Sequence, residues 1–346
     1  MKNKVLFLGN VPGSDPRSIG GASTYTYELL EEITNKDNIA ISFLPIRKRW
    51  YKGGQIIDYF FLIIKLPFHL FKHDVVSIHA SWDFHVSAGP FVVLFSRMLN
   101  KKIIYHFFGG NFHKMYQKYP WILRRWLDVT IFKAKFKLVE TKRMISFFEK
   151  KTFNGFVWFP NSRKVAKVNF KNEGFNNRFV FISRVTPTKG INVILEVSKS
   201  LPKNYIIDIY GPLDSKYYTA DFFQDYSVEY KGTLKPNEVL NTLSKYDVLL
   251  LPTFYSGEGY PGIIIEAMSL GKPIICSKWN ALDELVEDNV NGKLIESRSI
   301  EDLKNAINDI NKDNYQYLSD NSKKRFSDFN IDNVAERLVK LYLEDD

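Results

Sequence analysis

Short apolar runs of β character alternate with helical patterns from the first residues of this chain, and the series starts afresh near residue 160. Runs at 5–8, 39–44, 75–79, 103–107 and 156–159 read as strands, separated by helical patterns at 22–33, 55–71, 84–99 and 121–133. After the Pro160-Asn161-Ser162 turn, strands at 179–182, 205–210, 248–251, 274–277 and 293–295 alternate with helices at 191–201, 238–246, 262–270 and 300–310. Neighbouring parallel strands need a crossover, and a helix supplies it. Two consecutive series therefore predict an α/β chain with two doubly wound, Rossmann-like sheets. The expected domains are 1–160 and 161–330. The last segment, 331–346, carries Val334, Leu338, Leu341 and Tyr342 at helical spacing, so it has a face to bury, for which the first domain is the candidate partner. Ligands of such sheets sit beyond the carboxyl ends of the strands, which makes a crevice between the domains the expected site.

Length and composition fit this reading. A chain of 346 residues is too long for one ordinary core, and 45% hydrophobic with 25% charged residues is the balance of a soluble globular protein. The single cysteine, Cys276, leaves no disulfide framework and no cysteine zinc site. The opening apolar run is four residues long before Gly9, too short for a signal peptide. The greasiest stretch, 56–71, is interrupted by Asp58, Lys65, Pro67 and His69 and is not expected to span a bilayer. A cytoplasmic protein is expected. Charge is uneven: residues 1–160 hold 24 Lys/Arg against 11 Asp/Glu, a net of +13, and the remainder is net −3. A basic half beside a near-neutral half suggests an anionic partner, although a solvated basic face explains charge alone equally well.

Four motifs can carry chemistry. Glu258-Gly259-Tyr260-Pro261-Gly262 leads from a buried strand into an apolar helix that contains Glu266. Glycine and proline there expose backbone N–H groups at a helix start, which suits hydroxyl-rich or anionic ligands. Glu266 sits among isoleucines, alanine and methionine, where a carboxylate is costly unless paired, and a sugar or ribose diol is a natural bidentate partner. Arg184 closes a strand and Lys189 opens the next helix, so both cations are expected at the carboxyl edge of the sheet, a site for a diphosphate. Gly20-Gly21 opens the first helix; it fits an ordinary turn or N–H groups aimed into the crevice. Tyr105-His106 ends the fourth strand and His79 the third, with Asp83 and His85 close behind, so that a polar contact to substrate stands beside the ordinary reading of a core histidine.

Together these residues resemble the retaining glycosyltransferases of the GT-B fold, and in particular glycosyltransferase family 4 (glycosyl transferases group 1). Glu258 and Glu266 match the family's E-x7-E motif, and Arg184 and Lys189 match its diphosphate-binding pair. The resemblance extends over essentially the whole chain. It implies that the first domain is mainly the acceptor domain and the second holds most of the nucleotide sugar. It further implies that Glu266 holds the ribose, that the loop Gly259, Tyr260, Pro261, Gly262 meets the donor sugar, and that His106 lies beside that sugar. Two positions depart from the family pattern. Ser183 precedes the arginine where glycine is common, and Lys278-Trp279-Asn280-Ala281 stands where a glycine pair is common.

The implied reaction moves a hexose or N-acetylhexosamine from a nucleoside-diphosphate sugar, UDP sugars favoured, to an acceptor hydroxyl with retention. Arg184 and Lys189 would stabilise the departing diphosphate, and the leaving phosphate would help deprotonate the acceptor. No D-x-D motif occurs, so neither a metal nor another cofactor is expected to serve the diphosphate. A sugar-nucleotide epimerase on the same fold is one alternative, and a nucleic-acid binder another; the dispersed charge and the lack of a known motif count against nucleic acid. A lipid-linked acceptor follows from charge and amphipathy. Arg47-Lys48-Arg49-Trp50-Tyr51-Lys52 precedes Ile56, Ile57, Phe60, Phe61, Ile64 and Phe68, and Trp121, Arg124, Arg125 and Trp126 come later. Cations interleaved with aromatics suit an anionic membrane surface and a polyprenyl-diphosphate-linked acceptor on its cytoplasmic face, whereas the plainer reading packs the aromatics into the core.

Overall fold

The computed structural model describes every residue except 1, 14, 16, 17, 19, 48–52, 169–173 and 345–346. The chain forms two units, Met1–Lys164 with Asn330–Asp346, and Val165–Phe329. In the first unit β1 (Asn3–Gly9), β2 (Ile39–Pro45), β3 (Val75–Ala80), β4 (Lys102–Phe107), β5 (Phe136–Val139) and β6 (Phe156–Trp158) lie in the order β2-β1-β3-β4-β5-β6, every neighbour parallel. The chain reverses direction across the sheet between β1 and β3, the position where doubly wound sheets bind ligands.

Both faces of this sheet are covered, so its strands are nearly continuous apolar runs rather than alternating ones. Leu6, Leu8, Val76, Ile78, Tyr105 and Phe107 point into one core cluster. Val5, Phe7, Val75, Ile104 and Leu138 point into the other, which also takes Ile331, Val334, Ala335, Leu338, Val339 and Tyr342 from the last helix, Ile331–Leu343. Burial of each such side chain contributes roughly 1.5–3 kcal/mol. The helix is started by the Asn330 side chain, which accepts from the Asp332 N–H at 3.1 Å, while the Ile331 N–H donates to the Arg163 carbonyl at 3.0 Å.

The second unit has β7 (Arg178–Ile182), β8 (Ile206–Tyr210), β9 (Glu229–Tyr230), β10 (Val248–Leu251), β11 (Ile274–Ser277) and β12 (Gly292–Ile295), ordered β12-β11-β10-β7-β8-β9 and again all parallel. Its reversal falls between β7 and β10. The α/β class with two doubly wound sheets is thus as the sequence predicts.

Local differences have physical causes. The expected helix at 84–99 is two helices, Trp82–Val86 and Ala88–Met98, because Ser87 leaves helical backbone angles and its hydroxyl donates to the Asp83 carbonyl at 2.6 Å. Strand β9 is two residues long, too short to show a period. Strand β5 was hidden by Lys137, whose side chain is buried inside it. Its ammonium donates to the Ala134 carbonyl at 2.6 Å and the Phe132 carbonyl at 3.4 Å. Burial, with a smaller push from Lys133, lowers its pKa to about 8.

The helix Gly54–Leu70 corrects the plainer reading of its aromatics. Asp58, Leu62, Leu66 and Leu70 face inward at four-residue spacing, while Ile56, Ile57, Phe60, Phe61, Ile64 and Phe68 are exposed, Ile56 at 75% and Phe68 at 73%. The cluster Lys48, Arg49, Trp50, Tyr51 and Lys52 lies outside the described residues.

Lys137 makes stability pH-dependent in a definite direction. The unfolded chain holds this proton to about pH 10.4 and the folded chain only to about 8. Between those values the unfolded state binds more protons, so stability rises with pH. The unfolding free energy of the wild type relative to Lys137→Met should therefore increase by about 3 kcal/mol between about pH 7 and about pH 10.5, as read by urea denaturation. A difference that stays level would show that the amine titrates normally.

Candidate functional site

In the second unit the loops after β7 and β10 leave the sheet side by side at its reversal point. They are stitched together by backbone. The Phe254 N–H donates to the Thr188 carbonyl at 2.8 Å. Gly190, at φ +84°, packs so closely on Pro252 that a Cβ would fall 2.1 Å from the Pro252 carbonyl oxygen. No other residue type fits both the left-handed backbone and that approach. A second close approach brings Gly211, after β8, against the Ser183 carbonyl, where a Cβ would lie 1.8 Å away.

This packing brings Lys189 and Glu258 together across the reversal. Lys189 Nζ lies 2.6 Å from Glu258 Oε2, with side chains 15% and 8% exposed. The Thr253 hydroxyl donates to the same oxygen at 2.8 Å, and Lys189 also sits 5.2 Å from the centre of the Tyr255 ring. The buried carboxylate of the E-x7-E motif is thus Glu258. Glu266, expected to be enclosed by apolar neighbours, is half-buried on the helix Gly262–Ser269, because Ile264, Ile265, Ala267 and Met268 take the inward positions. Arg184, just past β7, is exposed.

The loop 258–262 presents mainly backbone. The Tyr260 ring turns inward, edge-on to Phe329, and its hydroxyl donates to Glu284 Oε2 at 2.5 Å. Gly259, Pro261 and Gly262 are half-buried around the helix start. The Asn280 side-chain amide donates to the Glu258 carbonyl at 3.0 Å and to the Ser256 carbonyl at 3.3 Å, and the Trp279 indole donates to the Tyr255 carbonyl at 2.7 Å. Asn280 has φ +50°, a conformation asparagine tolerates better than most residues. The segment Lys278-Trp279-Asn280-Ala281, which departs from the family pattern, is therefore a brace for the Glu258 loop. Trp279, Asn280, Thr253 and Gly211 had no motif to announce them; only their long-range partners do.

In the first unit Gly20 and Gly21 are exposed at the start of the helix Gly21–Thr34, with open space where a Cβ would lie. The Gly20 N–H donates to the Ser23 hydroxyl at 3.0 Å. A cleft of about 40 Å³ beyond the ends of β1 and β3 is lined by Asn10, Ser23, Arg47, Gln55, Tyr59, His79 and Asp83 among others. Asp83 accepts from the Ser81 hydroxyl at 2.6 Å, from the Tyr59 hydroxyl at 3.3 Å and from the Gln55 amide.

The histidines divide. His85 packs among Tyr105, Phe107 and Phe112, so the core reading is right for it. His79 is buried too: it stacks on Phe7 at 4.2 Å, one nitrogen meets Ser77 Oγ at 2.9 Å, and the other meets His106 Nδ1 at 3.1 Å. Neither nitrogen is left for a substrate. His106 is 2% exposed, set edge-on to Tyr25 and Phe159. Burial lowers the pKa of His79 and His85 to about 3 and that of His106 well below its usual value, with His79 adding to the last. All three are neutral imidazoles near pH 7.

Residues 162–327 match the family described as glycosyl transferases group 1. Over 183 residues the chain is 27% identical to a glycosyltransferase of Methanocaldococcus jannaschii, covering 52% of each chain. Over 185 residues it is 28% identical to the UDP-Gal:alpha-D-GlcNAc-diphosphoundecaprenol alpha-1,3-galactosyltransferase of Escherichia coli, covering 49% of this chain and 46% of that one. The chain thus spans about half the length of these curated relatives. The solved structure of Anabaena Alr3699/HepE in complex with UDP superposes with a TM-score of 0.72 at 16% identity, covering 98% of this chain and 99% of that one. The fold is that of the GT-B glycosyltransferases. The match to the glycosyl transferases group 1 family covers the second unit, which carries the E-x7-E motif and the Arg184/Lys189 pair.

Because Lys189 and Glu258 are mutually enclosed, removing one strands the other. Lys189→Met should cost about 3 kcal/mol in urea unfolding. The double variant Lys189→Met/Glu258→Met should lie closer to the wild type than Lys189→Met alone. Additive losses would show that the two side chains do not depend on each other.

Proposed function

We propose that this chain is a retaining glycosyltransferase that moves a hexose or N-acetylhexosamine from a nucleoside-diphosphate sugar, with UDP sugars favoured, to an acceptor hydroxyl. The observation that carries the reading is the Lys189–Glu258 pair across the β7/β10 reversal, with Arg184 at the same strand end. In this reading the bond between the anomeric carbon and the diphosphate oxygen breaks. The acceptor oxygen bonds to the same face of that carbon, and its proton passes to the leaving phosphate. Arg184 and Lys189 stabilise the charge growing on the diphosphate, and the Glu258 carboxylate keeps the Lys189 ammonium in place. Glu266 takes the ribose diol, the backbone of Gly259, Pro261 and Gly262 borders the sugar, and the N–H groups after Gly20-Gly21 assist the phosphates. His106 serves as a neutral hydrogen-bonding group to the sugar, since its imidazole is held uncharged by burial. The reaction in this reading needs no metal.

Thermal-shift measurements with UDP-glucose, UDP-galactose, UDP-N-acetylglucosamine and GDP-mannose test the donor; binding at a hundredfold excess over Kd stabilises by about 2.7 kcal/mol. Glu266→Ala should abolish that shift while changing the stability of the free protein by less than about 1 kcal/mol, because Glu266 is only partly buried on a helix whose inward positions are taken by Ile264, Ile265, Ala267 and Met268. Arg184→Ala should lower turnover by at least tenfold with a smaller change in donor affinity. Transfer should survive EDTA, and the product anomer seen by NMR should match the donor. An inverted anomer, or an epimerised donor with no acceptor present, would replace this reading.

The acceptor in this proposal is carried on a polyprenyl diphosphate at an anionic membrane surface. The E. coli relative named above acts, by its name, on a diphosphoundecaprenol-linked sugar. Among the described residues no helix is long and apolar enough to cross a membrane. The outward face of Gly54–Leu70 instead supplies exposed Ile56, Phe60, Phe61 and Phe68, flanked by exposed Arg47, Lys65 and Lys72. Rings at the acyl boundary with cations at the headgroups is the arrangement of an interfacial helix. Vesicles rich in anionic phospholipid should sediment the protein, neutral vesicles should do so weakly, and Phe60→Ser/Phe68→Ser should release it. Equal capture by both vesicle types would favour a soluble acceptor.

A further inference from the structure

We propose that Tyr342, Ser77 and His79 form a one-way hydrogen-bond chain that sets the tautomer of His106, leaving its proton on Nε2 so that the imidazole meets a ligand oxygen as a donor. The proposal rests on the reading of His106 as a sugar contact and makes Tyr342, Ser77 and His79 positioning residues for it.

The chain is built by the sheet. Ser77 and His79 are two residues apart in β3 and so share a face, and His79 is paired in register with His106 on β4. That face is the one the last helix covers, and Tyr342 reaches it from there. The Tyr342 hydroxyl donates to Ser77 Oγ at 2.9 Å, Ser77 Oγ lies 2.9 Å from His79 Nε2, and His79 Nδ1 lies 3.1 Å from His106 Nδ1. All four side chains are at least 98% buried, among phenylalanine, valine and leucine.

Two directions are conceivable, and burial separates them. If Tyr342 donates to Ser77, the serine hydroxyl is free to donate to His79 Nε2. His79 then carries its proton on Nδ1 and donates it to His106 Nδ1, and His106 must carry its own on Nε2. Every proton up to His106 then has an acceptor, and the last, on His106 Nε2, sits on a nitrogen that keeps some access to solvent, whereas Tyr342 is fully buried. In the reverse direction Ser77 would donate to Tyr342, and the Tyr342 O–H would be a buried donor with nothing to bond. An orphaned buried donor costs about 1–3 kcal/mol, more than a spare lone pair. Doubly protonated rings offer no escape, since burial keeps both imidazoles neutral. As a donor at Nε2, His106 can bond either a sugar hydroxyl oxygen or a phosphate oxygen. The opposite tautomer would set a lone pair against the phosphate.

The test begins without any substrate. In the full-length protein labelled with 15N, long-range proton–nitrogen correlation spectra distinguish the two tautomers, and His106→Gln identifies the His106 signals. The expected pattern is a protonated Nε2 on His106 and a protonated Nδ1 on His79, changing toward a mixture in Tyr342→Phe and in Ser77→Ala. The opposite tautomer, or a pattern unmoved in both variants, would overturn the proposal. In donor turnover Tyr342→Phe should lower kcat/KM about three- to tenfold, and should have no further effect in a His106→Gln background. An equal fall in both backgrounds would mark a general structural loss and would overturn the catalytic part. Since the spectra need no donor, a failure of the transferase reading would leave the tautomer result standing and show itself only in the kinetics.

Discussion

Glu258 and Lys189, 2.6 Å apart at the reversal of the second sheet, are two charges largely removed from water. Such a pair is tolerable only when each side chain is held to the other and further hydrogen bonds complete the carboxylate. The surrounding structure meets that demand. Thr253 donates to the carboxylate, Gly190 lets the two loops touch, and Trp279 and Asn280 hold the outer edge of the Glu258 loop. The pair therefore fixes Lys189 as a directed cation. It also leaves Arg184, exposed on the same strand end, as the cation that meets solvent.

The first unit solves a different problem. Its sheet face carries Ser77, His79 and His106 in the middle of an apolar cluster, where unjoined polar groups are costly. Joining them into a line that ends on Tyr342 satisfies each in turn, and the last helix supplies that end. His85, on the opposite face, shows the alternative: a buried histidine with one bond to Tyr105 and aromatic neighbours, which answers to packing alone. Neutral histidines result in both cases, so these side chains can interact through hydrogen bonds and not through imidazolium charge.

The outer face of Gly54–Leu70 runs against the ordinary rule for a soluble surface. Its inward face is already complete with Leu62, Leu66 and Leu70, so the exposed isoleucines and phenylalanines are surplus to the core. Contiguous apolar surface of that kind marks an interaction site more often than chance exposure. The sequence shows the apolar density but not its direction, because a helix that is apolar nearly all round has no period to orient it.

Period and motif made the architecture readable from sequence: covered parallel strands must be apolar throughout, and crossovers must be helical. The E-x7-E spacing and the Arg184/Lys189 pair likewise lie within single short segments, where neighbours in sequence are neighbours in space. Strand β5 escaped because Lys137 breaks its pattern while its ammonium finds carbonyl partners that no local window reveals. The same limit hid which glutamate is enclosed, since inward and outward positions on Gly262–Ser269 are decided by the sheet beneath it. The apolar spacing of 331–343 announced a face to bury but not what lies under it. Only the folded chain, bringing Tyr342 to Ser77 across 265 positions, decides that a residue near the end bonds the serine that in turn meets His79 of the third strand. Contacts between distant segments depend on how whole elements pack, and no stretch of sequence carries that information by itself.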